Sequence, residues 1–273
     1  MSDISKDLST QALVKAIKHN RFEWYGYFGR SPETEFYESP HLTWLLTQIP
    51  NPLLNTVTHT HLNREKADEI IEGTLAHFKS ENVTRFTWWV EPDSQPTDLG
   101  ERLLAHGFTY EQGPPGMAVD MATLNESIQA PPDLSIEHVG DAGILKQWVS
   151  ILSSGFELPD GIQGKVFDLL AGLGFDLPSR KYLGFLNGEP VSIAELFLGA
   201  GVAGIHSVAT LPEARRQGIG AVMTLAPLLE ARALGNRIGI LHASKMGLGV
   251  YRRLGFQEYC KMSYYKYKLE TNG

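Results

Sequence analysis

The residues best suited to chemistry lie in one stretch, VATLPEARRQGIGAVMT, which runs from Val208 to Thr224. Gly218 and Gly220 open an apolar run just after two basic residues, Arg215 and Arg216. The first N–H groups of a helix starting here have no carbonyl partners, and residues without a Cβ let an anion come close to them. The same spacing also suits a tight strand-to-helix turn. The stretch therefore leaves two alternatives, a cradle for phosphate groups or a turn without a ligand.

The segments around this stretch alternate between predicted strands and helices. Asn187 and Gly188 separate two runs of strand-forming residues, which predicts a hairpin. GVAGIHSVAT predicts a strand, GAVMTLAPLLEARALG a helix that ends near Gly235, and IGILHA a further buried strand. The order predicts a mixed α and β fold, with strand–helix–strand connections near its end.

Length and composition indicate a globular chain of two domains. Its 273 residues exceed one ordinary domain, and the adjacent prolines in SIQAPPDLSI predict a linker, so we expect domains at 1–130 and 131–273. No run of 18 apolar residues and no signal peptide is found, which predicts a cytoplasmic protein without a membrane partner. The single cysteine, Cys260, excludes an intrachain disulfide and is expected to be a strand residue.

Charge is distributed unevenly along the chain. Residues 1–133 carry 10 Lys and Arg against 19 Asp and Glu, whereas residues 134–273 carry 14 against 12. The acidic total of −7 argues against a nucleic-acid partner. The second half is the better host for an anionic ligand.

The second half resembles a known family. VATLPEARRQGIGA, followed after a helix and a strand by SKMGLGVYRRLGF, is similar to the GNAT superfamily of acyl-CoA-dependent N-acyltransferases. The cofactor motif of that family, Arg/Gln-x-x-Gly-x-Gly/Ala, falls here on Arg215, Gly218 and Gly220. The resemblance covers residues 134–273 well. It implies an α+β fold of two tandem GNAT-like domains, each a mostly antiparallel mixed sheet flanked by helices, with acetyl-CoA or another acyl-CoA as co-substrate and no metal.

The resemblance also implies which residues would hold the co-substrate. The backbone from Gln217 to Ala221 would bind the pyrophosphate, and the strand end at Val208 to Thr210 would pair with the pantetheine arm. Ser244 stands where many members have an Asn that binds the cofactor. The expected cofactor-binding residues are Val208, Ala209, Thr210, Arg215, Arg216, Gln217, Gly218, Ile219, Gly220, Ala221 and Ser244.

Three residues are candidates for proton transfer in that family context. Tyr251 matches the tyrosine that protonates the departing CoA sulfur in many members. Many members place a Glu on the strand before the glycine motif, but here that position is Gly204. His206 projects from the same strand face two residues later, and an imidazole can accept a proton at neutral pH. Glu195 on the preceding strand and a water molecule remain alternative bases.

The first half carries a weak repeat of the second. LGERLLAHGF at 99–108 resembles GLGVYRRLGF at 247–256, but Leu103 replaces the tyrosine and no glycine occurs between Arg30 and Glu72. We therefore expect a degenerate GNAT-like domain that does not bind CoA productively. His59 and His61 have the spacing of metal ligands but no third ligand, so we expect no metal site there.

Together these features predict an enzyme that transfers an acyl group, most simply acetyl, from acyl-CoA to an amine. The amine would attack the thioester directly in a ternary complex, since Cys260 is not placed as an acyl carrier. The acceptor is a small-molecule amine or a peptide or protein amine; an oxygen acceptor and a longer acyl chain stay open. Two fused copies predict a monomeric pseudo-dimer, with a homodimer as the alternative. A CoA-binding sensor with little turnover is the competing hypothesis.

Overall fold

The structure is a computed structural model that describes residues 4–269. The described chain forms two compact units. The C-terminal unit contains residues 4–24 and 115–260, and the N-terminal unit contains residues 25–114 and 261–269. This division differs from the single boundary expected at residue 130. The physical reason is strand pairing, because residues 116–120 pair with the strand at 238–242 and residues 263–268 pair with the strand at 85–90.

The described chain contains seven α-helices and eleven strands, numbered here in chain order. The helices are α1 Thr10–Phe28, α2 Ala67–Ser80, α3 Leu99–Ala105, α4 Ala142–Gly155, α5 Gln163–Ala171, α6 Ile219–Ala233 and α7 Leu248–Leu254. The strands are β1 Thr34–Glu38, β2 Thr43–Thr47, β3 Thr56–Thr58, β4 Arg85–Val90, β5 Thr109–Asp120, β6 Leu134–His138, β7 Ser179–Leu186, β8 Glu189–Gly199, β9 Val202–Thr210, β10 Ile238–His242 and β11 Gln257–Lys268. Cys260 lies in β11, as expected. None of the helices within residues 4–269 is long and apolar enough to cross a membrane.

The sheet of the C-terminal unit has the order β5-β10-β9-β8-β7-β6. Neighbouring strands are antiparallel except for β9 and β10, which run parallel. Asn187 and Gly188 have φ values of 53° and 82° and form the tight turn between β7 and β8, which confirms the predicted hairpin. Helices α6 and α7 pack with Ala203, Ile205 and other strand residues into one apolar cluster. Helix α4 packs against β8 and β9 outside that cluster.

The sheet of the N-terminal unit has the order β1-β2-β3-β4-β11, with β3 and β4 parallel. Its series β3, α2, β4 and α3 repeats the order β9, α6, β10 and α7 of the other unit. Helices α3 and α7 both end before a left-handed glycine, Gly107 or Gly255, and a buried phenylalanine follows each. The repeat seen in the sequence thus corresponds to a repeated structural order.

Candidate active site

The site begins where β9 and β10 stop pairing. The two parallel strands pair from Ala203 with Gly239 to Ile205 with Leu241, yet β9 continues as far as Thr210. The end of β9 therefore has a partner on one side only, which is β8. An unpaired strand edge offers N–H and C=O groups to an extended ligand.

A β-bulge shapes the same end of β9. Ile193 and Glu195 of β8 pair with Ala209 and His206 of β9. Two residues of β9, Ser207 and Val208, therefore lie opposite the single residue between Ile193 and Glu195 on β8. Ser207 has a φ of 51°, an uncommon conformation for a residue with a side chain. The bulge redirects the backbone just after His206.

The glycine-rich loop begins α6 in the way its sequence predicted. Arg216 and Gly218 have φ values of 65° and 84°, and the helix starts at Ile219. Within residues 4–269, the backbone N–H groups of 216–220 donate no hydrogen bond to the protein. Five neighbouring donors at a helix N-terminus suit a phosphate group. Ala221, which was also expected to contribute, instead donates its N–H to the carbonyl of Gly218 at 3.0 Å.

The space in front of this helix end is open. A Cβ added at Gly220 would meet only the Oγ1 of Thr210 within 4 Å, at 3.9 Å. Arg215 donates from Nε to the carbonyl oxygen of Thr210 at 2.9 Å, so the loop and the unpaired end of β9 are held together. The hydroxyl of Thr210 lies 2.9 Å from the hydroxyl of Ser192.

The other expected cofactor residues occupy varied positions. Val208 packs at the edge of the apolar cluster, and Ile219 and Ala221 are buried in it. Arg216 and Gln217 are exposed beside the open N–H groups. Ser244 is exposed as well, but its Oγ accepts the N–H of Gly247 at 3.1 Å, so it already stabilises the turn before α7.

Tyr251 lies in α7, with its ring buried in the apolar cluster. A Cβ at Gly247 would stand 2.7 Å from this ring, so the absence of a side chain there makes room for it. Burial is the cause that raises the pKa of Tyr251 to about 12. The phenol is therefore protonated at neutral pH and can act as a proton donor.

His206 lies on the opposite face of the sheet from Tyr251, because Ile205 faces the apolar cluster and successive strand residues alternate. Its ring stacks on Trp24 of α1 with ring centroids 4.6 Å apart. Burial lowers the pKa of His206 to about 4, with the charge of Glu195 opposing the shift and that of Arg21 adding to it. The imidazole is therefore neutral at pH 7.

Asn20 of α1 holds the other side of that imidazole. Its Nδ2 donates to the backbone carbonyls of Phe197 at 3.3 Å and Gly199 at 2.9 Å, and its Oδ1 lies 3.1 Å from Nε2 of His206. The sequence analysis missed this residue because α1 was assigned to the first domain. The pattern of helix α1 contains no signal that singles out Asn20.

Asn20 also occupies the space beside Gly204, two residues before His206 on the same strand. A Cβ added at Gly204 would stand 2.0 Å from Oδ1 of Asn20 and 2.8 Å from Nε2 of His206. A side chain at residue 204 and the carboxamide of Asn20 would therefore occupy the same space.

Glu195, the rival base, is fixed in a buried polar network. Its carboxylate accepts hydrogen bonds from Ser179 Oγ at 2.6 Å and Ser207 Oγ at 3.1 Å, and Nζ of Lys181 lies 3.6 Å away. Burial alone would raise the pKa of Glu195, but the charge of Lys181 and the hydrogen bonds from Ser179 and Trp24 bring it below its usual value. An ionised carboxylate held in this way is a weak proton acceptor.

A second histidine, which the sequence analysis did not single out, lies at the end of β10. His242 follows Leu241, the partner of Ile205, so it stands next to His206 on the same face of the sheet. Its Nε2 is buried and has no hydrogen-bond partner within residues 4–269. Burial, together with the nearby Arg21 and His206, places the pKa of His242 well below its usual value.

The corresponding place in the N-terminal unit is closed. Beyond β3, His61 forms a parallel bridge with Gln95, and backbone hydrogen bonds of 2.9 Å join Gln95 to Thr60 and Leu62. Helix α2 has two acidic residues in its first turn and no glycine before it. Leu103 is fully buried at the place of the tyrosine. Within its described residues, this unit lacks the unpaired strand edge, the glycine loop and the tyrosine of the other.

Comparisons with known proteins identify a family match in the second half and similar folds over most of the chain. Residues 146–256 match the model of the acetyltransferase (GNAT) family. The chain is similar in structure to a GCN5-related N-acetyltransferase from Kribbella flavida, with 20% identity over 91% of this chain and 95% of that one and a TM-score of 0.69. A tandem GNAT protein from the clavulanic acid biosynthesis pathway aligns at 14% identity over 99% of this chain and 98% of that one, with a TM-score of 0.59.

A functionally unknown conserved protein from Staphylococcus epidermidis is also similar, at 16% identity over 85% of this chain and 92% of that one, with a TM-score of 0.65. A comparison with curated proteins finds no match. The resemblance of the second half and the tandem, mostly antiparallel fold predicted from it are confirmed.

Proposed function

Residues 146–256 belong to the acetyltransferase (GNAT) family, and from this premise we propose that the C-terminal unit transfers an acetyl group from acetyl-CoA to an amine. Members of the family use acyl-CoA as the donor. The amine as acceptor, acetyl as the acyl group and the cytoplasm as location are parts of this proposal.

One observation carries the proposal. The open N–H groups of 216–220 and the unpaired end of β9 belong to one continuous structure, because Arg215 joins the loop to Thr210. A pyrophosphate on the first and a pantetheine arm along the second would direct the thioester toward the gap between β9 and β10. Tyr251 and His206 lie on the two faces of the sheet that contains this gap.

The acceptor must lose a proton before it can attack. An amine with a pKa of about 10.4 is neutral in only about one molecule in 2,500 at pH 7. His206, neutral in the structure, takes this proton directly or through water while the nitrogen attacks the thioester carbon. Backbone N–H groups at Val208 or Ala209 would stabilise the oxyanion.

The reaction ends when the carbon–sulfur bond breaks. The electron pair stays on sulfur, and Tyr251 donates its phenolic proton to the thiolate. The acylated nitrogen releases its second proton to water as the neutral amide forms, and His206 returns the first proton to solvent. The raised pKa of Tyr251 keeps this proton in place until the thiolate forms. The tyrosine regains a proton from solvent after CoA leaves.

Calorimetry with acetyl-CoA tests the cofactor site. Gly220→Glu places a carboxylate in the open space before α6, and we expect it to abolish binding. Gly164→Glu is the matched control, because nothing lies within 4 Å of a Cβ at this exposed position of α5. Wild type and control should bind equally. No binding by the wild type, or equal binding by Gly220→Glu, would reject the proposed site.

A CoA-binding sensor is the second candidate, favoured by the low pKa of His206 and the fixed carboxylate of Glu195. A panel of amines, corrected for thioester hydrolysis, distinguishes the two. Acyl transfer to any amine supports the enzyme. Tight acetyl-CoA binding without transfer across the panel supports the sensor.

A further inference from the structure

We infer that Asn20 is a positioning residue for the acyl transfer: it holds the imidazole of His206 in the form protonated on Nε2, so that Nδ1 is the atom that accepts the proton. The role of Nδ1 as the proton acceptor rests on the proposed function. The hold of Asn20 on the ring rests on geometry alone.

The orientation of the Asn20 carboxamide is fixed by its neighbours. The carbonyl oxygens of Phe197 and Gly199 can only accept hydrogen bonds, so the atom that faces both must be the NH₂ group. The opposite atom, which faces His206, is therefore the carbonyl oxygen Oδ1. An oxygen without hydrogen requires a donor across the 3.1 Å contact, and that donor is the Nε2–H of His206.

A neutral imidazole carries a single N–H. When Nε2 holds the hydrogen, Nδ1 has a free lone pair that points away from Asn20. Stacking on Trp24 keeps the ring plane fixed. Helix α1 thus holds the ring in one orientation, because a ring turned over about the Cβ–Cγ bond would present Cε1 in place of Nε2 to Asn20 and lose the hydrogen bond.

Gly204 makes room for this contact. With no Cβ there, the carboxamide reaches the imidazole through the space that a side chain would fill. A carboxamide has no basic atom, so of the two groups only the imidazole can accept a proton, and Asn20 orients it.

The charged and titratable groups around His206 come from several elements. Arg21 of α1, Glu195 of β8 and His242 of β10 interact with it electrostatically. Lys181 of β7 pairs with Glu195. Variants at Asn20 leave all four unchanged, so a shift in the pH profile of such a variant reports on the contact with His206.

The first test is the tautomer of His206 in the unliganded wild-type protein. Long-range proton–nitrogen NMR of histidine-labelled protein at pH 7, assigned with His206→Gln, reports which ring nitrogen carries hydrogen. We expect hydrogen on Nε2 alone. Hydrogen on Nδ1, or a mixture of both forms, would overturn the inference. This measurement needs neither activity nor a variant at Asn20.

The second test compares two replacements of similar size. Asn20→Leu removes the acceptor, and we expect kcat to fall about 10- to 100-fold, a part of what a general base contributes, with KM for acetyl-CoA unchanged. Asn20→Asp keeps an oxygen opposite Nε2 and adds a negative charge. It should restore part of kcat and move the acidic limb of the profile to higher pH.

The outcomes separate the inference from the proposed function. Wild-type kcat in Asn20→Leu, or an acidic limb that does not move in Asn20→Asp, would overturn the positioning role. No turnover by the wild type with hydrogen found only on Nε2 would reject the proposed function while supporting the contact. Turnover by the wild type with hydrogen found on Nδ1 would support the proposed function and overturn the inference about Asn20.

Discussion

The contact between Gly204 and Asn20 makes a quantitative prediction for Gly204→Ala. The new Cβ would stand 2.0 Å from Oδ1 of Asn20, far inside van der Waals contact, so the carboxamide must move. Moving it breaks the hydrogen bonds to Phe197, Gly199 and His206, each contributing about 1 kcal/mol. Replacing glycine by alanine in a strand returns up to about 1 kcal/mol. We expect the free energy of unfolding to fall by about 2 kcal/mol.

The prediction becomes sharper in a double-mutant cycle. Asn20→Ala alone removes the same three hydrogen bonds and should cost about 3 kcal/mol. In that background the contact with Asn20 is gone and only the contact with Nε2 of His206 at 2.8 Å remains, so the gain from replacing glycine offsets a small shift of the ring and adding Gly204→Ala should cost about 0 kcal/mol. The two changes together should thus be less destabilising than their sum by about 2 kcal/mol.

Urea unfolding followed by circular dichroism measures these differences. Gly164→Ala, at an open position of α5, is the control and should not destabilise the protein. If Gly204→Ala destabilises wild type and Asn20→Ala equally, Asn20 does not fill the space of the missing side chain. The structural basis for the role of Asn20 would then be wrong.

Three further predictions concern the proton-transfer residues. Burial lowers the pKa of His206 to about 4, so as the pH falls the unfolded chain takes up a proton on this residue near pH 6.5, before the folded protein does. The free energy of unfolding should therefore decrease between pH 6.5 and pH 4, and His206→Gln should make this decrease smaller in a series of denaturation curves. Tyr251→Phe should lower kcat about 100-fold while calorimetry finds unchanged acetyl-CoA binding; an unchanged kcat would exclude the phenol as the acid. Glu195→Gln should lower the free energy of unfolding in urea by about 3 kcal/mol, because Lys181 would stay buried without its counter-charge. A variant that is as stable as the wild type but has no turnover would instead favour Glu195 as the base.

Local features were predictable wherever the backbone conformation depends on a few neighbouring residues. Asn187 and Gly188 adopt positive φ values at low cost, which fixes the hairpin. Gly218 does the same at the start of α6, where the open N–H groups follow from helix geometry alone. The motif also predicted Ser244 and Ala221 as cofactor contacts, a prediction not yet tested, although both groups already bond within the protein.

The sequence by itself determined the glycine-rich loop at the start of α6, the position of Tyr251 and the repeat of strand and helix order, because each depends on residue types at short spacing. Only the tertiary structure decided which groups complete the site. Asn20 and His206 are 186 residues apart, and no local propensity links them. Helix α1 as far as Trp24 lies in the C-terminal unit, where Asn20 bonds to the distant carbonyls of Phe197 and Gly199. Burial there makes His206 neutral, whereas the charge of Lys181 and the hydrogen bond from Ser179 keep the buried Glu195 an anion, since the energy of a charge depends on its surroundings in the folded protein.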